Sequence, residues 1–286
     1  MPFPLAHPAA VLPLRRYCLT HLSFAALVTG SVVPDIAYFA DDYSQFDRVL
    51  VFLFGTSADK IPGVDSTWAW SEFSHSLVGS LAFCLPIGLA VQGAFYPLRA
   101  PLVSTFPAPH RTALLPLCRS RIKPLGTIVG SLLIGVWIHL FWDLFTHDNA
   151  RGTKTWDFVR HLFGLSTQTQ SAVQRVVWIA SSVGGVVALA TAYVFFLKRS
   201  KTSLWVFKAS DAPRFLLWSA VFIIPALITA PVIKHSVYGE PGAGFNFFFH
   251  AFAELYLVLL SCCVLLLAII SKFRYNELNS SEASDV

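Results

Sequence analysis

The chain has 286 residues, of which 55% are hydrophobic and 13% charged, and its mean hydropathy is +0.60. A soluble domain of this length cannot bury so large an apolar excess, so the composition excludes an ordinary soluble enzyme and indicates an integral membrane protein. The net charge of +5 is divided among short loops beside apolar segments, which argues against a nucleic-acid-binding protein.

Six apolar stretches are long enough to cross a hydrocarbon core, which takes about 20 helical residues. The alternation of apolar and polar residues that is typical of a membrane β-barrel is absent from the sequence. We therefore predict an all-α fold, a polytopic membrane helical bundle forming one domain over residues 1–275, with a disordered polar tail at 276–286. The predicted spans are 17–33, 74–96, 126–146, 176–197, 215–233 and 247–270.

Lysine and arginine are unevenly divided between the two sides of this predicted bundle. Alternate loops collect fourteen of the 21 basic residues on the side of both termini and seven on the other side. Because basic loops stay in the cytoplasm, we predict both termini there, in a multi-pass protein of the bacterial inner membrane. The aspartate-rich segment 34–73 is then expected to face outward.

The amino-terminal arm contains His7 and the pair Arg15-Arg16. If the arm is cytoplasmic, the arginines anchor the first span and His7 lies a membrane thickness away from the outer ends of the helices. Only a re-entrant segment over residues 5–14, turning at the arginines, would bring His7 to the outer side. His7 is retained as a candidate metal ligand on that condition.

Two polar residues lie at the outer ends of the first two predicted spans. Asp35 follows Pro34 at the end of the first, and His75 opens the second. Because both are expected near the outer boundary of the membrane, they can converge on one site. The alternative makes Asp35 an exposed turn residue and His75 an interfacial residue behind a Ser74 helix cap.

The third span carries ionisable side chains where an apolar helix should have none. His139, Asp143 and His147 are spaced four residues apart, so they lie along one helical face. Two histidines and a carboxylate on one stripe have the composition of a metal site. The alternative is a structural pair in which Asp143 holds His139 by a hydrogen bond, with His147 at the interface.

The last span adds His250 and Glu254, which are also four residues apart. This pair could complete a second metal position or a proton relay. It could equally be a hydrogen-bonded pair that locks two helices together, and we favour that interpretation from the sequence.

Four segments carry a resemblance to a known family. The stretches MPFPLAHPAAVLPLRR, LSFAALVTGSVVPDIAYF, HSLVGSLAFCLPIGLAV and HLFWDLFTHD together resemble an uncharacterised bacterial integral-membrane family, domain of unknown function 4184. The resemblance extends to about residue 200 and more weakly beyond. It implies a membrane protein and no activity.

A looser likeness concerns the order of the polar motifs. His, then Pro-Asp, then His-Ser, then His-x-x-x-Asp is similar to the membrane-bound metal-dependent hydrolases, and through them to the zinc phospholipase C and P1 nuclease group. This likeness implies metal ligands that come from several helices. Carried onto this sequence, they are His7, Asp35, His75, His139, Asp143 and His147, with His250 and Glu254 matching a later motif.

The function expected from these features is metal-dependent hydrolysis of a phosphoester or lipid head group at the outer membrane boundary. The expected cofactor is a divalent metal, zinc in the first place, with Asp35 and Asp143 as the catalytic carboxylates that bridge metals or act as base. The expected partners are the lipid bilayer and such a substrate, and no nucleic acid. Two alternatives stay open, a transporter that uses the His/Asp stripe as a proton or cation path, and a structural membrane protein without catalysis.

Overall fold

The computed structural model describes residues 4–18, 20–37, 70–146, 150–164, 166–200, 209–238 and 256–273. Every regular element in these ranges is helical, so the predicted all-α class is confirmed. In chain order the helices are α1 (Pro4–Tyr17), α2 (Phe24–Gly30), α3 (Val33–Ile36), α4 (Trp70–Ser74), α5 (Leu77–Ser104), α6 (Ala108–Cys118), α7 (Leu125–Thr146), α8 (Ala150–Phe163), α9 (Thr167–Arg199), α10 (Ala212–Tyr238) and α11 (Tyr256–Phe273).

Five helices in the described ranges are long and apolar enough to cross a membrane. They are α5, α7, α9, the Ala212–Thr229 part of α10, and α11. Each corresponds to one of the last five predicted spans, so the chain is a polytopic membrane protein. The predicted tail at 276–286 lies outside the described residues.

The first predicted span, 17–33, is not one continuous helix. Within it, α2 has seven residues and reaches about 10 Å, far short of a hydrocarbon core. The helix begins only after Ser23, whose hydroxyl accepts the Ala26 N–H, and it ends at Gly30. The chain resumes as the four-residue α3, with Pro34 in its first turn, where a missing N–H costs nothing.

The amino-terminal arm forms the 3-10 helix α1 and turns back on the segment that follows. Pro8 and Pro13 lie inside α1 and lack the N–H groups that a regular α-helix would use. The Arg15 guanidinium lies over the ring of Phe24 at the start of α2, whereas His7 lies beside Asp35 in α3. α1 is therefore antiparallel to the α2–α3 segment, and the two form a hairpin.

Helix α2 crosses α7 at very close range. A Cβ added at Gly135 would lie 2.3 Å from the Leu27 carbonyl oxygen, and one added at Gly30 would lie 2.2 Å from that of Leu132. Small residues let membrane helices approach in this way. The Ser23 N–H also donates to the Ser131 hydroxyl at 2.9 Å, so the two helices are joined at their amino-terminal ends.

Helix α5 begins with an irregular turn. Ser76, not the predicted Ser74, is its cap and accepts the Gly79 N–H at 2.8 Å. The segment Ser80–Cys84 is a π-helical turn, a feature that is frequent at functional sites. Cys84 in this turn is fully buried, and its Sγ donates to the Ser74 carbonyl at 3.3 Å. The turn therefore supports the residue that precedes His75.

The chain divides into two compact units. The first comprises the described parts of Met1–Ala40, Ala69–Gly93 and Ile122–Phe196, and the second those of Asp41–Trp68, Ala94–Arg121 and Leu197–Val286. In the second unit, Asp211 accepts the Ala108 N–H at the start of α6, and the Trp218 indole donates to Thr105. The prediction of a single domain over 1–275 stays a prediction.

Candidate metal centre

Four side chains from three separate parts of the first unit converge at one point. Asp35 comes from α3, His75 from the turn between α4 and α5, and His139 and Asp143 from α7. One ligand atom from each lies within 4.8 Å of the ligand atoms of the other three. The group is enclosed, since His139 is 1% exposed, Asp35 3%, Asp143 4% and His75 5%. This group could hold a metal ion.

The break between α2 and α3 fixes the orientation of His139. The Asp35 N–H donates to the Val32 carbonyl, not to that of Ser31 as a continuous α-helix would require. The Ser31 carbonyl instead accepts from His139 Nδ1 at 2.8 Å. Because a carbonyl oxygen only accepts, Nδ1 of His139 carries a proton.

The orientation of His75 is fixed by its neighbour Ser74. The Ser74 hydroxyl donates to the Pro34 carbonyl at 3.0 Å and lies 3.0 Å from His75 Nδ1. Since the only hydroxyl hydrogen goes to Pro34, Ser74 Oγ accepts the hydrogen of His75 Nδ1. Both imidazoles thus carry the Nδ1 proton and turn Nε2 toward the centre of the group.

The inward nitrogens of the two rings face each other and share one carboxylate oxygen. A neutral imidazole has one N–H, so Nε2 of His75 and of His139 each presents a lone pair. These two atoms lie 3.3 Å apart, and each is 3.1 Å from Asp143 Oδ2. Lone pairs and a carboxylate oxygen at these distances repel unless a positive charge lies among them, either a metal ion or a proton that makes one ring an imidazolium donor. Neutral histidines oriented through Nδ1 are the usual form of metal-ligating histidines.

The separations also fit a metal ion. Four ligand atoms held tetrahedrally about 2.0–2.1 Å from zinc are separated from one another by about 3.3 Å. Besides the three distances above, Asp35 Oδ1 lies 3.4 Å from His139 Nε2 and 3.7 Å from His75 Nε2. Neither carboxylate oxygen of Asp35 has a hydrogen-bond partner within the described chain. Cation binding would satisfy this buried carboxylate.

His7 reaches the same group from α1. Its Nε2 lies 3.5 Å from Asp35 Oδ2 and 4.0 Å from Asp143 Oδ1, and the residue is 3% exposed. Its ring lies against that of His139, with centroids 4.0 Å apart and the planes inclined by 31°. The α1 hairpin brings His7 to this group, whereas the re-entrant path through the membrane that was predicted for residues 5–14 stays a prediction.

The structure therefore brings together five of the eight residues singled out as candidate ligands: His7, Asp35, His75, His139 and Asp143. His147, His250 and Glu254 lie outside the described residues. Sequence reasoning missed the orienting groups Ser31 and Ser74, because one acts through its backbone carbonyl and the other resembled a helix cap. The sequence signal for the helix break that frees the Ser31 carbonyl was the pair Gly30-Ser31 at the end of α2, just ahead of Pro34.

Comparison with known proteins gives one match. No curated protein and no solved structure matches the chain. A family model described as Domain of unknown function (DUF4184) matches residues 1–272, nearly the whole chain, and so includes every residue of the His/Asp group. The chain therefore belongs to the DUF4184 family of domains of unknown function.

Proposed function

We propose that this protein is a membrane-embedded metal-dependent hydrolase. The observation that carries the proposal is the pair of buried imidazoles whose Nδ1 protons are committed to Ser31 and Ser74, and whose Nε2 atoms meet 3.3 Å apart beside a carboxylate. His75, His139, Asp35 and Asp143 would hold the cation. Zinc suits this set of two imidazoles and two carboxylates.

The substrate class we propose is a phosphoester, in the first place one in a lipid head group. A bound divalent cation polarises a phosphoryl oxygen and makes a neighbouring water more acidic. Asp35, whose carboxylate oxygens have no hydrogen-bond partner among the described residues, is suited to receive a proton from that water or to bridge two cations. Asp143 Oδ2 lies 3.1 Å from both inward nitrogens, so one cation would be shared by all three atoms.

The location we propose is the outer boundary of a bacterial inner membrane. Asp143 lies three residues before the end of the span Leu125–Thr146, so the group is near one end of that helix. The excess of basic residues in the loops on the opposite side favours the cytoplasm for that side. A lipid head group is the phosphoester found at this depth.

A second candidate is a cation that only fastens the helices. Zinc sites closed by four protein ligands are structural, whereas catalytic sites keep one position open. The burial of all four side chains to 5% exposure or less favours this candidate, and it also suits a proton or cation path. The hydrolase differs from these candidates in requiring that the bound metal support phosphoester cleavage.

The test is metal content together with hydrolysis in His139→Ala. The full-length protein is purified without chelators, its divalent metal is measured per chain, and it is assayed with an aryl phosphodiester and with phosphatidylglycerol in mixed micelles. We expect stoichiometric metal and hydrolysis for the unchanged protein. His139→Ala should weaken zinc or manganese binding at least about tenfold, the scale of lost ligand-shell groups, and abolish turnover.

His161→Ala is the matched control, because it removes an exposed imidazole of α8 outside the metal centre. It should leave both metal content and turnover unchanged. Absence of a stoichiometric divalent ion from the unchanged protein would refute the proposal. Stoichiometric metal without cleavage of either substrate would favour the fastening cation or the ion path.

A further inference from the structure

The two carboxylates of the metal centre are shared between two groups of histidines. Asp35 turns Oδ1 toward His139 and His75, at 3.4 and 3.7 Å, and turns Oδ2 toward His7 at 3.5 Å. Asp143 likewise turns Oδ2 toward the same two histidines, both at 3.1 Å, and Oδ1 toward His7 at 4.0 Å. Each carboxylate therefore has one oxygen toward the pair His75 and His139 and the other oxygen toward His7.

Packing holds His7 on its side of the carboxylates. Its ring lies against His139, and the neighbouring Ala6 packs against α9, where a Cβ added at Gly185 would lie 2.8 Å from that of Ala6. The Thr146 hydroxyl lies 3.4 Å both from Asp143 Oδ1, the oxygen that faces His7, and from the Trp142 carbonyl, and can donate to either. Such supporting contacts are typical of carboxylates that bind metals.

We propose that His7 Nε2, Asp35 Oδ2 and Asp143 Oδ1 form a second divalent-cation position, with both aspartates bridging it to the first. The inference rests on the proposed function, because the bridging carboxylates are ligands of the first cation. Pairs of divalent cations that share ligands lie about 3.5–4 Å apart in hydrolytic sites. Each carboxylate, with one oxygen toward each group of histidines, suits such a pair.

The separations between His7 and the two carboxylates are longer than direct hydrogen bonds. The distances from His7 Nε2 to the two carboxylate oxygens, 3.5 and 4.0 Å, are longer than the 2.7–3.2 Å of ordinary N–H···O bonds. Asp35 Oδ2 is buried and accepts no hydrogen bond within the described chain. Atoms that lie too far apart to bond directly, yet face one another without exposure to water, are spaced for an ion between them.

The second position differs from the first in having three protein ligands. A site of this kind leaves coordination open for water or substrate, as catalytic sites do and closed four-ligand sites do not. Two divalent cations with two carboxylates also leave the centre positively charged, which favours a phosphoester anion. The second position would therefore be the one with coordination left for water or a phosphate oxygen, and the first would mainly hold the helices and the bridging carboxylates.

Manganese provides a direct test, because two Mn²⁺ ions joined by carboxylates give an exchange-coupled electron paramagnetic resonance spectrum. The full-length protein is loaded with Mn²⁺ alone and its metal is counted per chain. We expect two equivalents and a coupled spectrum for the unchanged protein and for His161→Ala. His7→Ala and His7→Gln should retain one equivalent and give the spectrum of an isolated ion, with the second equivalent weakened at least about tenfold.

The first equivalent serves as an internal check on folding, since its ligands come from three separate parts of the chain. One equivalent in the unchanged protein, unaffected by His7→Ala, would overturn the second position while leaving the proposed function intact. Two equivalents in both His7 variants would also overturn it. No bound metal in any variant would refute the proposed function itself.

Discussion

At the scale of single residues, the site depends on two serines that do not face the cation position. Ser31 acts through a carbonyl freed by the helix break, and Ser74 acts through a hydroxyl that links Pro34 to His75. Each fixes which imidazole nitrogen carries the proton. A histidine with the wrong tautomer would present a hydrogen instead of a lone pair to the cation, so these contacts prepare the site before any ion arrives.

Ser74→Ala should therefore weaken metal binding although it removes no ligand. The Nδ1 proton of His75 loses its acceptor, and the ring becomes free to adopt the other tautomer. We expect the affinity for zinc to fall about 10–100-fold, as measured by competition with a chromogenic chelator. Ser181→Ala, which removes a hydroxyl donating to the Trp178 carbonyl of α9, is the control and should change nothing. Equal affinities in the two variants would contradict the assigned role.

The part of the site that depends on helical spacing and on the positions of span ends was predictable from the sequence. His139 and Asp143 share a face because they are four residues apart, and Asp35 and His75 follow from the matching depth of span ends. The partner of His139 Nδ1 was not predictable, because any residue supplies a carbonyl. Only the break in the helix decides that the carbonyl of Ser31 is free.

At the scale of helices, the crossing of α2 and α7 positions the Ser31 carbonyl against His139. Gly135→Ala should disturb it, because the added Cβ would lie 2.3 Å from the Leu27 carbonyl oxygen and 3.0 Å from the Ser31 nitrogen. We expect a loss of about 1–3 kcal/mol in stability, as for overpacked cores, and a lower metal affinity. Thermal unfolding in detergent and metal titration measure the two effects.

Gly130→Ala is the matched control on the same helix, since a Cβ there meets no atom within 4 Å. Replacement of glycine by alanine within a helix is favourable where space allows, so this variant should be as stable as the unchanged protein or slightly more stable. If Gly135→Ala and Gly130→Ala had the same stability and the same metal affinity, the close crossing of α2 and α7 would not be what positions the site.

Helix prediction succeeded where hydrophobic length decides and failed where local hydrogen bonding decides. The spans of α5, α7 and α9 are apolar over the full width of a membrane, and their existence follows from composition. The stretch 17–33 is also largely apolar, but the helix cap at Ser23 and the hydrogen bond from Asp35 N–H to the Val32 carbonyl divide it. Hydropathy averages over such breaks, and the 3-10 winding of α1 around its prolines has no hydropathy signature.

At the scale of the whole molecule, the direction of α1 predicts on which side of the membrane the amino terminus lies. α1 runs from His7 beside Asp35 to Arg15 beside Phe24, antiparallel to α2 and α3. If the basic loops are cytoplasmic, the amino-terminal end of α1 is on the outer side with the metal centre. We therefore expect an epitope placed before Pro4 to be accessible from outside intact cells, although the loop charges alone favoured a cytoplasmic amino terminus.

Reporter fusions in the loops serve as topology controls for the epitope measurement. Fusions after residues 110, 205 and 280 should report the cytoplasm, and fusions after 55, 160 and 240 the exterior, as the division of basic residues predicts. With these as controls, an epitope before Pro4 that is protected in intact cells and exposed after lysis would contradict the outward position of α1.

The position of α1 has a consequence for how the protein is made. His7 is synthesised before the groups that it contacts, which are Asp143 of α7 and, through Ala6, Gly185 of α9. The centre therefore forms only after α7 and α9 have entered the membrane. If the centre binds the proposed cation, loading would follow insertion, and the ion would come from the compartment that the finished centre faces.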